Sequence, residues 1–159
     1  MQTAAEWVAA LNLTPHVEGG YYRQVLKSAD ALTLADGRER AQYTSIYFLL
    51  EAANPSRFHR LTSDEVWYFH YGEPLTVHLL LEDGRYETLR LGHAVEQGQM
   101  LQALVPKGTI FGSTVEQGFA VVSCMVAPGF EYEDFELMGR QQLLTRYPQH
   151  ATLIKRLTR

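Results

Sequence analysis

Ser56-Arg57-Phe58-His59-Arg60-Leu61-Thr62-Ser63-Asp64-Glu65-Val66-Trp67-Tyr68-Phe69-His70-Tyr71-Gly72 sets a histidine and a carboxylate six residues apart among β-branched and aromatic residues. That is the spacing two neighbouring antiparallel strands need to aim both groups into one cavity. Side chains alternate along a strand, so Trp67, Phe69 and Tyr71 share the face of Glu65, while Val66, Tyr68 and His70 take the other. Glu65 is expected on an aromatic wall, with His70 pointing away from it.

The same alternation extends outward. From Pro74 to Leu81, Leu75, Val77, Leu79 and Leu81 alternate with Thr76 and His78. Glu82-Asp83-Gly84 turns this segment back into the alternating run Arg85 to Leu91, which predicts a hairpin. After a polar connection from Gly92 to Gly98, Gln99 to Val105, Thr109 to Val115 and Phe119 to Ala127 read as three more short strands. Upstream, Tyr43 to Leu50 is apolar on both faces, as in a sheet covered on each side. Tyr21 to Leu26 is a strand following Gly19-Gly20, and Ser28 to Gln42, around Asp36-Gly37, is a loop or wide hairpin turn between it and the next strand. Evenly spaced strands with turn signals between them favour an all-β sandwich or barrel over alternating strands and helices. Short helices flank it. Thr3 and Glu6 form a capping-box pair that opens one ending near Asn12, and Gly139 to Tyr147 and Pro148 to Leu157 close the chain, the last with a stripe of Leu153, Ile154 and Leu157.

One hundred and fifty-nine residues, 46% of them hydrophobic, suffice for one domain, 1–159, with a substantial core. A net charge of -4 with interspersed signs gives no footprint for nucleic acid or an anionic membrane, so a small molecule or a protein is the expected partner. No basic leader precedes a long apolar run, and no apolar stretch approaches the roughly 20 residues of a membrane span. A soluble, cytoplasmic protein is expected. The single cysteine, Cys124, excludes an internal disulfide and any cysteine-rich metal site, and its apolar neighbours predict a buried residue rather than a nucleophile.

These motifs resemble the cupins. The first cupin motif ends in His-x-His, three or four residues, Glu, six residues, Gly, and here His59, Glu65 and Gly72 hold the first-histidine, glutamate and glycine positions. Pro106-Lys107-Gly108 fits the second motif. More specifically, Glu18-Gly19-Gly20-Tyr21-Tyr22-Arg23, Ser63-Asp64-Glu65-Val66-Trp67 and Val126-Ala127-Pro128-Gly129-Phe130 through Leu137 are similar to a cupin subfamily of unassigned biochemical role, over about Leu11 to Leu144. The resemblance implies a double-stranded β-helix (jelly-roll barrel) with a pocket inside, and usually a homodimer. It also implies a likeness of fold to the metal-free sugar-nucleotide 3,5-epimerases. The cupin metal site uses three histidines and the glutamate, but Leu61 and Phe111 stand at the second and third histidine positions. If a metal binds, only His59 and Glu65 remain to hold it, so no cofactor is expected.

His59 and Glu65 are therefore the candidate catalytic pair, since a carboxylate beside an imidazole in a desolvated pocket can bring either group towards neutrality. The plainer alternative is a hydrogen-bonded ion pair filling the barrel. Tyr22 and Arg23, after the glycine pair, are candidate ligand-binding residues, although alternation leaves open which faces inward and Arg23 can equally pair with a surface acid. Tyr47 can line the cavity of His59 from the adjoining strand or simply pack. Trp67 and Phe111 are candidates for stacking on a ligand or for core. His70, His78 and His93 carry no assigned chemistry, and the acidic-aromatic run Glu131 to Glu136 belongs to the pocket mouth, a dimer seam or a solvated face.

The resulting expectation is a cupin-fold protein that binds a small polar molecule, a sugar or sugar nucleotide. As an enzyme it would be a metal-independent epimerase or isomerase, moving a proton next to a carbonyl. That reaction class rests on fold analogy alone. A metal-dependent cupin oxygenase or isomerase and a non-catalytic small-molecule binding protein remain the alternatives.

Overall fold

A computed structural model describes residues 2–159. Helix α1, Ala4–Leu11, is closed by the Thr3–Glu6 capping box and by Asn12 in the left-handed conformation. Thirteen strands follow: β1 (Thr14–Pro15), β2 (Tyr21–Lys27), β3 (Ala31–Thr33), β4 (Glu39–Ala41), β5 (Thr44–Glu51), β6 (Ser56–Leu61), β7 (Asp64–Gly72), β8 (Leu75–Leu80), β9 (Tyr86–Leu91), β10 (Gln102–Val105), β11 (Ile110–Val115), β12 (Phe119–Ala127) and β13 (Phe135–Leu137). Helices α2 (Arg140–Arg146) and α3 (Ala151–Arg156) end the chain. The all-β jelly-roll expectation holds, with its short helices at either end.

The strands form a six-stranded sheet ordered β1-β2-β5-β12-β7-β10 and a five-stranded sheet ordered β13-β6-β11-β8-β9. Between them lies a core of Phe48, Leu50, Trp67, Val77, Phe111, Val122 and their neighbours, all nearly inaccessible. A second cluster, Leu13, Leu49 and Val121, packs under α1 on the outside of the larger sheet. This explains why β5 is apolar on both faces. A third cluster beneath α2 and α3 buries Phe58, Leu80, Ile110, Leu143, Tyr147, Ile154 and Leu157. Helices of seven and six residues are too short to persist alone, and this burial, about 1.5–3 kcal/mol per large side chain, holds them in place.

Two expectations are corrected. First, β6 and β7 follow one another across Thr62-Ser63, yet they do not pair: β6 bonds β11 and β13, whereas β7 bonds β12 and β10. The chain crosses from one sheet to the other at that turn. Second, the register of β7 against β12 shifts between Phe69 and Tyr71, leaving His70 as an extra residue. A bulge of one residue reverses the alternation beyond it. Tyr71 therefore leaves the Glu65 face and packs its ring 5.0 Å from Trp7 of α1, while His70 bonds the Ser123 hydroxyl at 2.6 Å. The wide turn expected over Ser28 to Gln42 does join two antiparallel partners, β2 and β5, and it contains a small β3–β4 hairpin that presents Arg38 and Arg40 to Asp134.

His78, on the outer face of β8, is a buried structural residue. Its two ring nitrogens bond the Tyr86 hydroxyl at 2.6 Å and the Thr114 hydroxyl at 2.8 Å, and its ring stacks on Tyr86. Burial holds its pKa down at about 4, against 6.5 for an ordinary histidine. The unfolded chain thus takes up this proton first as pH falls. We expect stability to decline between about pH 6.5 and 4, by at most about 3 kcal/mol, and His78→Asn to lose that part of the slope in denaturant titrations. An unchanged slope would show that another group drives the acid transition.

Candidate functional site

The cavity between the sheets has a volume of about 260 Å³ and is lined by His16, Glu18, His59 and Glu65 together with aromatic and aliphatic residues. His59 comes from β6 in one sheet and Glu65 from β7 in the other, so the pair converges across the barrel. Both are nearly inaccessible, at 3% and 7% exposure.

Glu18 and His16 complete the site, and sequence reasoning assigned them no chemistry. They lie in the loop between β1 and β2, where no periodicity aims a side chain. The available signal was the glycine pair behind Glu18. Gly19 has φ of 117° and Gly20 of 73°, and a Cβ on Gly19 would lie 1.9 Å from the Pro55 carbonyl oxygen. Only glycine allows the loop to press this closely against the start of β6. The Glu18 carbonyl then accepts the Arg57 backbone N–H at 2.8 Å, which turns the Glu18 side chain toward His59.

His59 Nδ1 lies 2.7 Å from the Arg57 carbonyl oxygen, to which it donates, and also 2.7 Å from Glu18 Oε2. That N–H is better aligned on the carbonyl, since Glu18 Oε2 has no aligned hydrogen-bond partner. The carboxylate therefore acts mainly as a counter-charge. The proton on Nδ1 is fixed, and Nε2 is left without a partner among the described residues. Burial alone would lower the His59 pKa, but the Glu18 charge and contact reverse this and raise it. Burial likewise pushes Glu18 upward, and His59 overrides it to hold the carboxyl below its ordinary range.

Glu65 behaves oppositely. Burial raises its pKa to about 7, with the attraction of His59 only partly offsetting burial and the negative Glu18 adding to it. Its Oε2 is buried without a hydrogen-bond partner. His16 is neutral: its Nδ1 accepts the Glu18 backbone N–H at 3.1 Å, and burial lowers its pKa, so its 3.7 Å approach to Glu18 Oε1 is not an ion pair. Two carboxyl groups in one cavity are thus shifted in opposite directions, Glu18 below its ordinary range and Glu65 up to about 7, with the His59 imidazole shifted upward beside Glu18.

Tyr22 lines the cavity from β2, and its hydroxyl meets that of Tyr132 at 3.2 Å. Its register partner, Phe48, is a core residue, so Tyr22 faces inward. Arg23 pairs with Tyr47, and both are placed outside the cavity, where the guanidinium lies 5.9 Å from the Tyr47 ring centre. The reason is parity: Tyr47 also pairs with Ser123, on the outer face that receives His70. Trp67 and Phe111 are 1% exposed and sit in the core behind the lining, with Phe111 4.2 Å from the His59 ring. From the acidic-aromatic run, Tyr132 reaches the cavity, while Asp134 is buried against Arg40 at 2.7 and 3.0 Å. Cys124 is a buried thiol on the cavity wall, its pKa raised by burial.

These residues do not fit a cupin metal. Leu61 and Phe111 stand where further imidazoles would be needed, His59 Nδ1 is already committed, and no group of three or more His, Cys, Asp or Glu among the described residues is arranged around a common point. Protein purified without chelator is expected to carry well below one equivalent of transition metal, with a melting temperature unmoved by a chelator. A stoichiometric ion would overturn this.

Residues 5–138 match the family described as Cupin superfamily (DUF985). The uncharacterized protein YML079W of Saccharomyces cerevisiae is 28% identical over 149 residues, covering 82% of this chain and 73% of its own. Among solved structures, protein SO0799 of Shewanella oneidensis is 46% identical with a TM-score of 0.93, over 100% of this chain and 99% of that one. A hypothetical protein from Leishmania major is 43% identical with a TM-score of 0.90, over 98% of both. Oxalate decarboxylase from Bacillus subtilis is similar in fold alone, at 16% identity and a TM-score of 0.57, over 90% of this chain and 36% of that one. No described helix is long and apolar enough to cross a membrane.

Proposed function

We propose, from the premise that this chain belongs to the cupin superfamily in its DUF985 family, that the barrel cavity binds a small polar molecule and acts on it by metal-independent proton transfer, as an epimerase or isomerase does. The observation that carries the reading is a buried Glu65 whose Oε2 has no partner, in the same cavity as a His59 held 2.7 Å from Glu18. A base works best with a pKa near the operating pH, and Glu65 at about 7 meets that condition. In its ionised form it removes a proton from the carbon next to a carbonyl. The broken C–H pair becomes the double bond of an enediol, while the carbonyl oxygen takes a proton from His59 Nε2. Return of the first proton from Glu65 to the neighbouring carbon gives the isomer, and a solvent proton reaching the opposite face of the first carbon gives the epimer, with Glu65 then passing its proton to solvent; in each case a hydroxyl proton goes back to His59. Glu18 is a positioning residue, keeping His59 charged and in the required tautomer.

The test is solvent exchange. In D2O, a bound α-hydroxy carbonyl compound is expected to lose its α C–H signal in proton NMR, and Glu65→Gln to suppress the loss. A second reading is supported by the Glu18–His59 pair, which satisfies itself without a substrate: a non-catalytic binding protein. Tight binding with no exchange would favour it and remove the enzyme.

A further inference from the structure

We infer that the cavity's ligand is an uncharged polyhydroxy carbonyl compound, an unphosphorylated sugar of monosaccharide size, and that sugar phosphates and sugar nucleotides are excluded; this rests on the binding role proposed above. The first support is charge. No lysine or arginine lines the cavity, and the His59 imidazole already has the Glu18 carboxylate 2.7 Å away. Basic side chains around the cavity are likewise engaged: Arg57 donates to the Glu18 backbone carbonyl at 3.4 Å, Arg38 and Arg40 grip Asp134 at 2.7 to 3.0 Å, and Lys27 lies 3.7 Å from Glu131. Arg23, the candidate phosphate fork, is outside. A phosphate here would be buried beside the Glu18 carboxylate without a guanidinium or ammonium to offset it, which is strongly unfavourable.

The second support is shape and polarity. Phe130, Tyr132 and Phe135 form a mutually packed aromatic wall, with ring centres 5.0 to 6.2 Å apart, beside the rings of His16 and His59. The C–H face of a sugar ring packs on such a wall while its hydroxyls turn to Glu65 Oε2, which has no other partner, and to the Tyr22 and Tyr132 phenols. A volume of about 260 Å³ falls below the roughly 300–1,000 Å³ of sites for drug-sized ligands, and suits a monosaccharide better than a nucleoside diphosphate. An ammonium compound would also suit aromatic rings. It would meet the His59 charge, however, with Glu18 already paired.

The test is calorimetry and thermal shift on the full chain with a panel of free aldoses and ketoses, with matched pairs (glucose and glucose 6-phosphate, fructose and fructose 6-phosphate), and with UDP-glucose and choline. At least one neutral sugar is expected to bind, with its phosphorylated counterpart weaker by about tenfold or more. Gln24→Arg, which adds a guanidinium to the cavity wall, is expected to narrow that ratio. A phosphorylated sugar, UDP-glucose or choline binding as tightly as the neutral sugars would overturn the inference, as would failure of every neutral sugar. Native mass spectrometry of the freshly isolated protein separates the two levels. A retained anionic or cationic molecule sinks only the sugar class, whereas no retained molecule and no binding by any probe sinks the binding role as well.

Discussion

Glu65→Gln is expected to slow solvent exchange at the substrate's α-carbon by about 10²–10⁴-fold while making the barrel more stable at neutral pH. Loss of function with gain of stability is the signature of a group held in an unfavourable ionisation environment for its chemistry. The sign follows from the shift. Below pH 4.5 the carboxyl is neutral in both states; as pH rises the unfolded chain ionises first, near 4.5, while the folded chain holds its proton to about 7. Stability contributed by the neutral, buried form is thus fully present below 4.5 and is lost across that window, by about 3 kcal/mol at most. The amide is nearly isosteric and does not ionise. Its advantage over the native protein should be larger at pH 8 than at pH 5, read as melting temperature or denaturant midpoint. A difference that does not vary with pH would mean that Glu65 titrates as an ordinary carboxyl, and the assignment of the base would fall with it.

Glu18→Ala is expected to lower stability, by about 3–5 kcal/mol at most, because it removes one partner of a buried ion pair and forces the other to stay charged without a counter-ion or to give up its proton. Here the pair has its own pH window. Glu18 is depressed, so its contribution is present above about 4.5 and fades as pH falls; His59 is raised, so its contribution is present below about 6.5 and fades as pH climbs through its folded value. The variant's deficit should therefore be greatest between those limits. His59 should also lose its positive charge at neutral pH, since burial alone drives it toward the neutral imidazole. Histidine resonances followed by NMR across the range would show this directly. A variant of native stability whose His59 still titrates high would show that another group supplies the counter-charge.

The pair His59 and Glu65 was legible because motif spacing fixes two positions on successive strands, and the barrel was legible because its turns fall at regular intervals. What stayed hidden has separate causes. Glu18 and His16 arrive on a loop whose path depends on two positive-φ glycines and a carbonyl contact to β6, a long-range fact that local periodicity cannot express. Tyr71 obeyed alternation until His70 was inserted as an unpaired residue, and nothing in a string of aromatic residues marks a bulge. Tyr47 lies on a strand that is apolar on both sides, so hydrophobicity does not distinguish its two faces. Its parity, and with it that of Arg23, is set by the register against β12. Finally, the two-residue link Thr62-Ser63 has the length of a hairpin turn but joins strands of opposite sheets, because both β6 and β7 find other partners.

That link has a consequence for how such a protein could be tuned. With the imidazole on one wall and the poised carboxyl on the other, the gap between them is a caliper reading of barrel thickness, which the packing of the core between the two sheets, Phe111 and Trp67 included, sets. Resizing the filling resets the proton's jump, so volume changes among side chains that never meet a substrate would act as a rate dial.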